Sequence, residues 1–276
     1  MTTLDEIEAY CKYYNIPMEH LLKVMSDLKV IPMLRGKGFE YFVTDRLKHL
    51  LPASRWIISN PNINAQSEIH DVDVEITRKR DNKKVRIECK LSDKGSFTNN
   101  DSPTKIQVKC MRSRTISDNE MATRMATRYG VTREMILIHA DQYRKIDFDI
   151  VVTTLGNALW TTHEDGRYVF DGDVIRLRKL AELFPSSFSI NDDLETFKDK
   201  AFSFLLFAQS NKLTANHVNG VLCRRRRCIA QHTNGDCGFI PNYPMINLNE
   251  VAAGTSAWKP LNAIETELNT FLDSQN

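Results

Sequence analysis

Apolar residues recur along the first fifty positions with the period of a helix and then change to the alternation of strands. Leu4, Ile7, Tyr10, Cys11 and Tyr14 are spaced three and four apart, which puts them on one helical face. Thr3 and Glu6 stand at capping-box spacing. Asn15-Ile16-Pro17 interrupts, and Met18 to Leu28 predicts a second amphipathic helix. The pair reads as a packed helical hairpin or, alternatively, as a helix-turn-helix of the nucleic-acid-reading kind. A third helix is predicted from Gly38 to Leu51, stopped by Pro52, with Phe39, Phe42, Val43, Leu47 and Leu50 on its buried side. Glu40 lies over Val43 and Leu47 on that same flank.

Strands follow. Trp56 to Ser59 is short and apolar, and His70 to Ile76 and Val85 to Leu91 alternate strictly. The polar run Arg78 to Lys84 between them, with Asp81-Asn82 at its centre, suits a tight hairpin turn. Met135 to His139 and Phe148 to Thr154 read as buried strands, preceded by a basic segment of helical character. Leu194 to Ala208 and Leu261 to Asp273 read as amphipathic helices. This order predicts an α/β protein with a mixed central β-sheet flanked by helices, an N-terminal helical hairpin and a mainly helical C-terminal part. Turn and cap residues collect between Leu183 and Asp193. The expected division is an N-terminal helical segment 1–35, a core 36–190, and a C-terminal helical and loop region 191–276.

Composition narrows the class. The chain has 276 residues, 42% hydrophobic and 26% charged, a globular balance that excludes wholesale disorder and fibrous repeats. Lys+Arg 37 against Asp+Glu 35 leaves a formal charge of +2, so only the distribution of charge points to a partner. Lys105 to Arg133 carries seven basic residues against two acids, Arg224 to Arg227 form a second basic block, and Pro241 to Asn276 carries one lysine against four acids. The acidic start and the shortness of the apolar run Ala201 to Ala208 predict no export signal and no membrane. Six cysteines are then expected as reduced thiols in a cytoplasmic protein.

The hairpin holds the candidate chemistry. With Asp81 and Asn82 at the turn, Asp73 faces Lys90, Glu75 faces Glu88, and Asp71 faces Ser92. One face then carries Asp71, Asp73, Glu75, Glu88 and Lys90, and the other Val72, Val74, Ile76, Val85, Ile87, Cys89 and Leu91. Four carboxylates around one ammonium are a poor choice for a solvated sheet surface, because opposed like charges destabilise the pair. They become favourable around a divalent cation, and carboxylates with water are the usual ligands of Mg2+. Asp…Glu-x-Lys then supplies the parts of metal-assisted phosphodiester hydrolysis, with Lys90 orienting the attacking water or helping to deprotonate it.

His70-Asp-Val-Asp73 followed by Ile87-Glu-Cys-Lys90 resembles the PD-(D/E)XK nuclease signature, and the element order over residues 36–155 is similar to that family's restriction-endonuclease-like core. The resemblance implies Asp73 and Glu88 as metal ligands, Lys90 as the catalytic lysine, and Glu40 as the acidic residue on the preceding helix. The family's Pro-Asp is absent and His70 precedes Asp71, so Asp71 is the alternative to Asp73. The cofactor expected is Mg2+, with Mn2+ as a substitute. The layout most resembles a type II restriction endonuclease, a homodimer on double-stranded DNA with no nucleotide cofactor. A repair or junction-resolving nuclease of the same superfamily, or a non-catalytic DNA-binding protein on its scaffold, is the alternative.

Beyond the hairpin, Lys94, Lys105, Lys109, Arg112 and Arg114 are candidates for phosphate contact. Gln107 is a candidate to point toward the site. Arg224, Arg225, Arg226 and Arg227 are candidates for phosphate or base edges. Cys223, Cys228 and Cys237, with His217 or His232, do not have a standard paired zinc spacing. Zinc is not expected there. His139, at the end of a predicted apolar strand, reads as a core histidine, and neither it nor His163 nor Ser102 is spaced as part of a triad.

Overall fold

The computed structural model describes residues 2–61, 72–97, 104–113, 115–172, 174–183, 202, 204–228 and 236–274. Its helices are α1 (Thr3–Tyr13), α2 (Leu21–Met25), α3 (Ile31–Leu50), α4 (Asn119–Tyr129), α5 (Arg133–Ile138), α6 (Val174–Leu183), α7 (Ser210–Leu213), α8 (Leu248–Ala252) and α9 (Ile264–Asp273). The strands are β1 (Trp56–Ser59), β2 (Val74–Arg78), β3 (Lys84–Cys89), β4 (Lys105–Gln107), β5 (Ile150–Thr154), β6 (Trp160–Thr162), β7 (Tyr168–Phe170), β8 (Leu205–Gln209), β9 (Met245–Asn247) and β10 (Lys259–Pro260). The protein is α/β, with a six-stranded mixed sheet in the order β1-β2-β3-β5-β8-β10. Among the described strands of this sheet only β3 and β5 run parallel; the other neighbours are antiparallel.

The sheet is covered on both faces. Ile150 and Val152 of β5, with Leu205 and Phe207 of β8, pack against Phe39, Val43 and Leu47 of α3 and Leu268 of α9. Val151, Leu206 and Ala208 face the other way, into a cluster with Phe148, Leu180 and Trp258. Central strands buried on both sides read as unbroken apolar runs. The stretch 194–208 is expected as an amphipathic helix, but Leu205–Gln209 is strand β8; residues 194–201 and 203 lie outside the described residues. Met135 to His139 shows the reverse. It is helix α5, started by the Thr132 side chain accepting from the Met135 amide, and His139 is its C-cap. A short apolar run does not distinguish the two by period alone.

At the N-terminus the cap is Thr2 with Asp5, one residue before the expected pair. The second helix is only a 3-10 turn, Met18–His20, running into α2. Helix α3 begins at Ile31, with Pro32 in its first turn, well before Gly38. Phe42 is exposed, because the buried stripe runs Phe39–Val43–Leu47 and Phe42 falls beside it.

The hairpin register differs from the expected one by two residues. Val74 faces Ile87, Glu75 faces Arg86, and Ile76 faces Val85. The connection is a four-residue loop, Lys79 to Asn82, closed by the Arg78 amide donating to the Lys83 carbonyl at 2.8 Å. Asn82 takes the left-handed conformation (φ 56°) that its side chain tolerates. Asp81 turns back on the buried Arg78 guanidinium at 2.6 Å, and Arg78 also meets Asp273 of α9 at 2.8 Å. That ion cluster pins the loop to α9 and fixes its length. Because the shift is by two, each side chain stays on its expected face.

Candidate active site

The two hairpin strands bring Asp73 and Glu88 together at their open end. Asp73, one residue ahead of β2, is held from two sides. Its Oδ2 accepts from the Cys89 amide at 2.7 Å. Its carbonyl accepts from Asn60 Nδ2 at 2.9 Å, and the same amide group donates to Thr44 Oγ1 of α3 at 2.8 Å. Glu88 is 3% exposed, and its Oε1 lies 2.6 Å from Lys90 Nζ and accepts from the Tyr143 hydroxyl at 2.9 Å. Lys90 Nζ sits 5.3 Å from the Tyr143 ring centroid. Glu40 reaches the cluster from α3, paired with Lys37 one turn earlier.

Electrostatics show that these groups are close. Burial, then the charges of Glu88 and Glu40, push the Asp73 carboxyl well above the usual carboxylate range. Burial also raises Glu40; Lys37 opposes this and Glu88 adds to it. Burial alone would pull the Lys90 ammonium down, but Glu88, Tyr143 and Asp73 outweigh it and hold Lys90 well above its ordinary value. These neighbours favour Lys90 as a cation and hydrogen-bond donor. Burial and Glu88 also raise the Tyr143 phenol, which keeps it a donor to the carboxylate.

Three carboxylates face two ammonium groups here, all oxygen and amine chemistry. This donor set fits a hard divalent cation: oxygen ligands suit Mg2+, and a cation among these carboxylates would offset the repulsion that helps to raise Asp73. Asp73 and Glu88 are the carboxylates that could hold such an ion. Asp71 lies outside the described residues. Glu75 does not join the cluster; it faces Arg86 and pairs with Lys84 at 2.8 Å. Asp73 faces Glu88 and not Lys90, and Lys90 instead meets Glu88 along its own strand.

The basic candidates divide. The segment 105–109 runs antiparallel beside 91–93, with Asp93 N–H donating to the Gln107 carbonyl at 2.7 Å and Lys109 N–H to the Leu91 carbonyl at 3.2 Å. Lys105 and Lys109 are exposed on that segment, immediately beyond Lys90, and Gln107 is half-buried between them. Lys94 donates to Thr162 and lies 3.8 Å from the Tyr168 ring centroid. Arg112 is withdrawn from the surface. It is 8% exposed, pairs with Asp147 at 2.6 Å, and stacks over Tyr143 at 4.8 Å. It lies behind Tyr143, away from the surface where a phosphate would approach. Arg225 is tied to Asp141, whereas Arg224, Arg226 and Arg227 are exposed. Arg114 lies outside the described residues.

Tyr143, Asn60 and Thr44 were not foreseen from sequence. They stand alone in loops or on a helix face, far along the chain from the residues they hold, so no local pattern marks them. No family model matches the sequence, and no curated protein and no solved structure matches it significantly.

Proposed function

We propose that the protein is a Mg2+-dependent nuclease of the PD-(D/E)XK type that hydrolyses phosphodiester bonds in double-stranded DNA. The observation carrying this reading is the convergence of Asp73, Glu88 and Lys90 at the end of one hairpin, with Glu40 beside them, in a fold whose β3 continues beside a parallel β5. Bound by Asp73 and Glu88, Mg2+ would supply positive charge against the charge developing on the phosphate. The Cys89 amide fixes one Asp73 oxygen, and Tyr143 with Lys90 fixes Glu88. Lys90 then presents its ammonium to the phosphate or to the incoming water, where a preorganised donor in a half-buried site counts for most. Lys109, Arg224 and Arg227 are exposed cations to which DNA-backbone contact is assigned in this reading.

The finer reading is a type II restriction endonuclease, two copies sharing a palindromic duplex. Digestion of a long duplex DNA with Mg2+, followed by end sequencing, tests it. Discrete fragments with a shared end sequence support it, cutting confined to branched or damaged DNA indicates a structure-selective nuclease, and intact DNA removes the nuclease reading.

A further inference from the structure

We propose that His139 Nε2 and the Sγ atoms of Cys223, Cys228 and Cys237 bind one Zn2+ in a closed, tetrahedral, structural site. All four side chains are buried, and their donor atoms all lie within 4.8 Å of one another. His139 Nε2 is 3.1 Å from Cys237 Sγ and 3.4 Å from Cys223 Sγ, and Cys228 Sγ is 3.8 Å from Cys237 Sγ. Zn–S bonds of about 2.3 Å and Zn–N bonds of about 2.0 Å put tetrahedral donors roughly 3.5–3.8 Å apart. The Cys228–Cys237 separation matches that range, the two His139 distances are a few tenths of an ångström shorter, and all four donors lie within 4.8 Å of one another. These separations are far from the S–S bond length of about 2.05 Å that a disulfide needs.

The surroundings prepare the same set. His139 Nδ1 lies 2.8 Å from the Met135 carbonyl. That contact puts the proton on Nδ1 and turns the Nε2 lone pair toward the sulfurs, the usual arrangement for a metal-bound imidazole. The ring is clamped by Phe239, stacked at 4.2 Å and 10°. Arg144 lies against Phe239 at 5.1 Å and hydrogen-bonds the Gly238 carbonyl, a cation beside a site whose three thiolates would leave it one negative charge. Four protein donors leave no open position, which marks a structural role. Of the two histidines near these cysteines in sequence, His217 is exposed and paired with Asp236, and His232 lies outside the described residues.

The ion would join the C-terminus of α5 to the loop 223–228 and to the segment entering Phe239, three pieces otherwise held by an apolar cluster that includes Ile116, Met125, Ile136 and Phe239. The arginines at 224, 226 and 227 ride on the outside of that loop. The site stands independently of the nuclease reading, because its donors share no residue with the acidic cluster.

The test is metal analysis of the purified full-length chain, with Co2+ substitution. We expect about one Zn2+ per chain, retained by Glu88→Gln, and thiolate-to-cobalt charge-transfer bands with tetrahedral ligand-field bands on exchange. His139→Ala should lose the metal, and His139→Cys, which restores a fourth soft donor, should keep it. Where a variant fails to fold, titrating the thiols of wild-type protein should release zinc in step with three thiols. A folded, zinc-free protein that takes up no zinc when reduced, or a Cys228–Cys237 disulfide in peptide mapping, overturns the proposal.

Discussion

The acidic cluster at the end of the β2–β3 hairpin and the Cys/His cluster behind α5 are built from opposite donors by opposite means. The first gathers hard oxygen ligands from strands adjacent in sequence, so residues 73, 88 and 90 meet through one hairpin. The second gathers soft sulfur and nitrogen ligands across almost a hundred residues, with His139 on a helix and the cysteines on two loop segments. The first keeps an unsettled charge: Asp73 holds its proton well above the usual range because burial and two neighbouring carboxylates oppose its ionisation. The second is closed and braced by amides and stacked rings. A site that does chemistry must leave a cation room to take water and substrate, whereas a site that holds structure is filled by its own ligands.

Changes that separate the two should act on different readouts. The largest effect is expected for Lys90→Ala, which should lower single-turnover DNA cleavage by about 10^3-fold while DNA affinity and zinc content stay near wild type. Normal turnover in that variant would remove Lys90 from the chemistry. Next is Cys237→Ser, which should lower unfolding free energy by about 4 kcal/mol or more, as loss of a structural metal does. Denaturant titration measures this, and a change below about 1 kcal/mol would mean that the cluster is ordinary packing. Tyr143→Phe removes a hydrogen bond to a buried carboxylate, worth about 1.5–3 kcal/mol. Cleavage should fall about 10–100-fold with the fold intact, and an unchanged rate would show that Tyr143 only fills space.

The smallest expected effect is in pH dependence. A carboxyl raised in the folded state contributes stability that is present below its ordinary value and lost as pH rises through the raised one. The metal-free protein should therefore lose stability from about pH 4 upward, by at most roughly 1.4 kcal/mol for each pH unit that Asp73 is raised. Asp73→Asn should flatten that part of the curve, and Mg2+ should restore wild-type stability at neutral pH. Parallel curves for the two proteins would show that Asp73 ionises freely.

The difference in construction also decides what the sequence discloses. Period-two alternation placed Asp73, Glu88 and Lys90 on one face, and that survived a register error of two residues because faces repeat every second position. The error came from Asp81, which suited a two-residue turn but is bound to Arg78 in a longer loop. Glu40 was legible as a carboxylate on an otherwise apolar flank. Arg112 sits in a buried ion pair with Asp147 and Arg225 in a half-buried one with Asp141, and composition does not distinguish such pairs from a basic surface. His139 was the hardest to read. It ends an apolar run that looked like a strand, and the cysteines it meets lie far along the chain. Strand β8 was hidden for the related reason that burial on both faces erases alternation.

Calorimetric titration of Mg2+ into the Lys90→Ala protein on duplex DNA, which that variant should leave uncut, addresses the acidic cluster itself. Saturable uptake is predicted, lost when Asp73→Asn or Glu88→Gln is added and indifferent to the cysteines. No uptake of Mg2+ or Mn2+ with DNA present, or uptake that persists without both carboxylates, would contradict the assignment of Asp73 and Glu88 as the ligands of a catalytic ion.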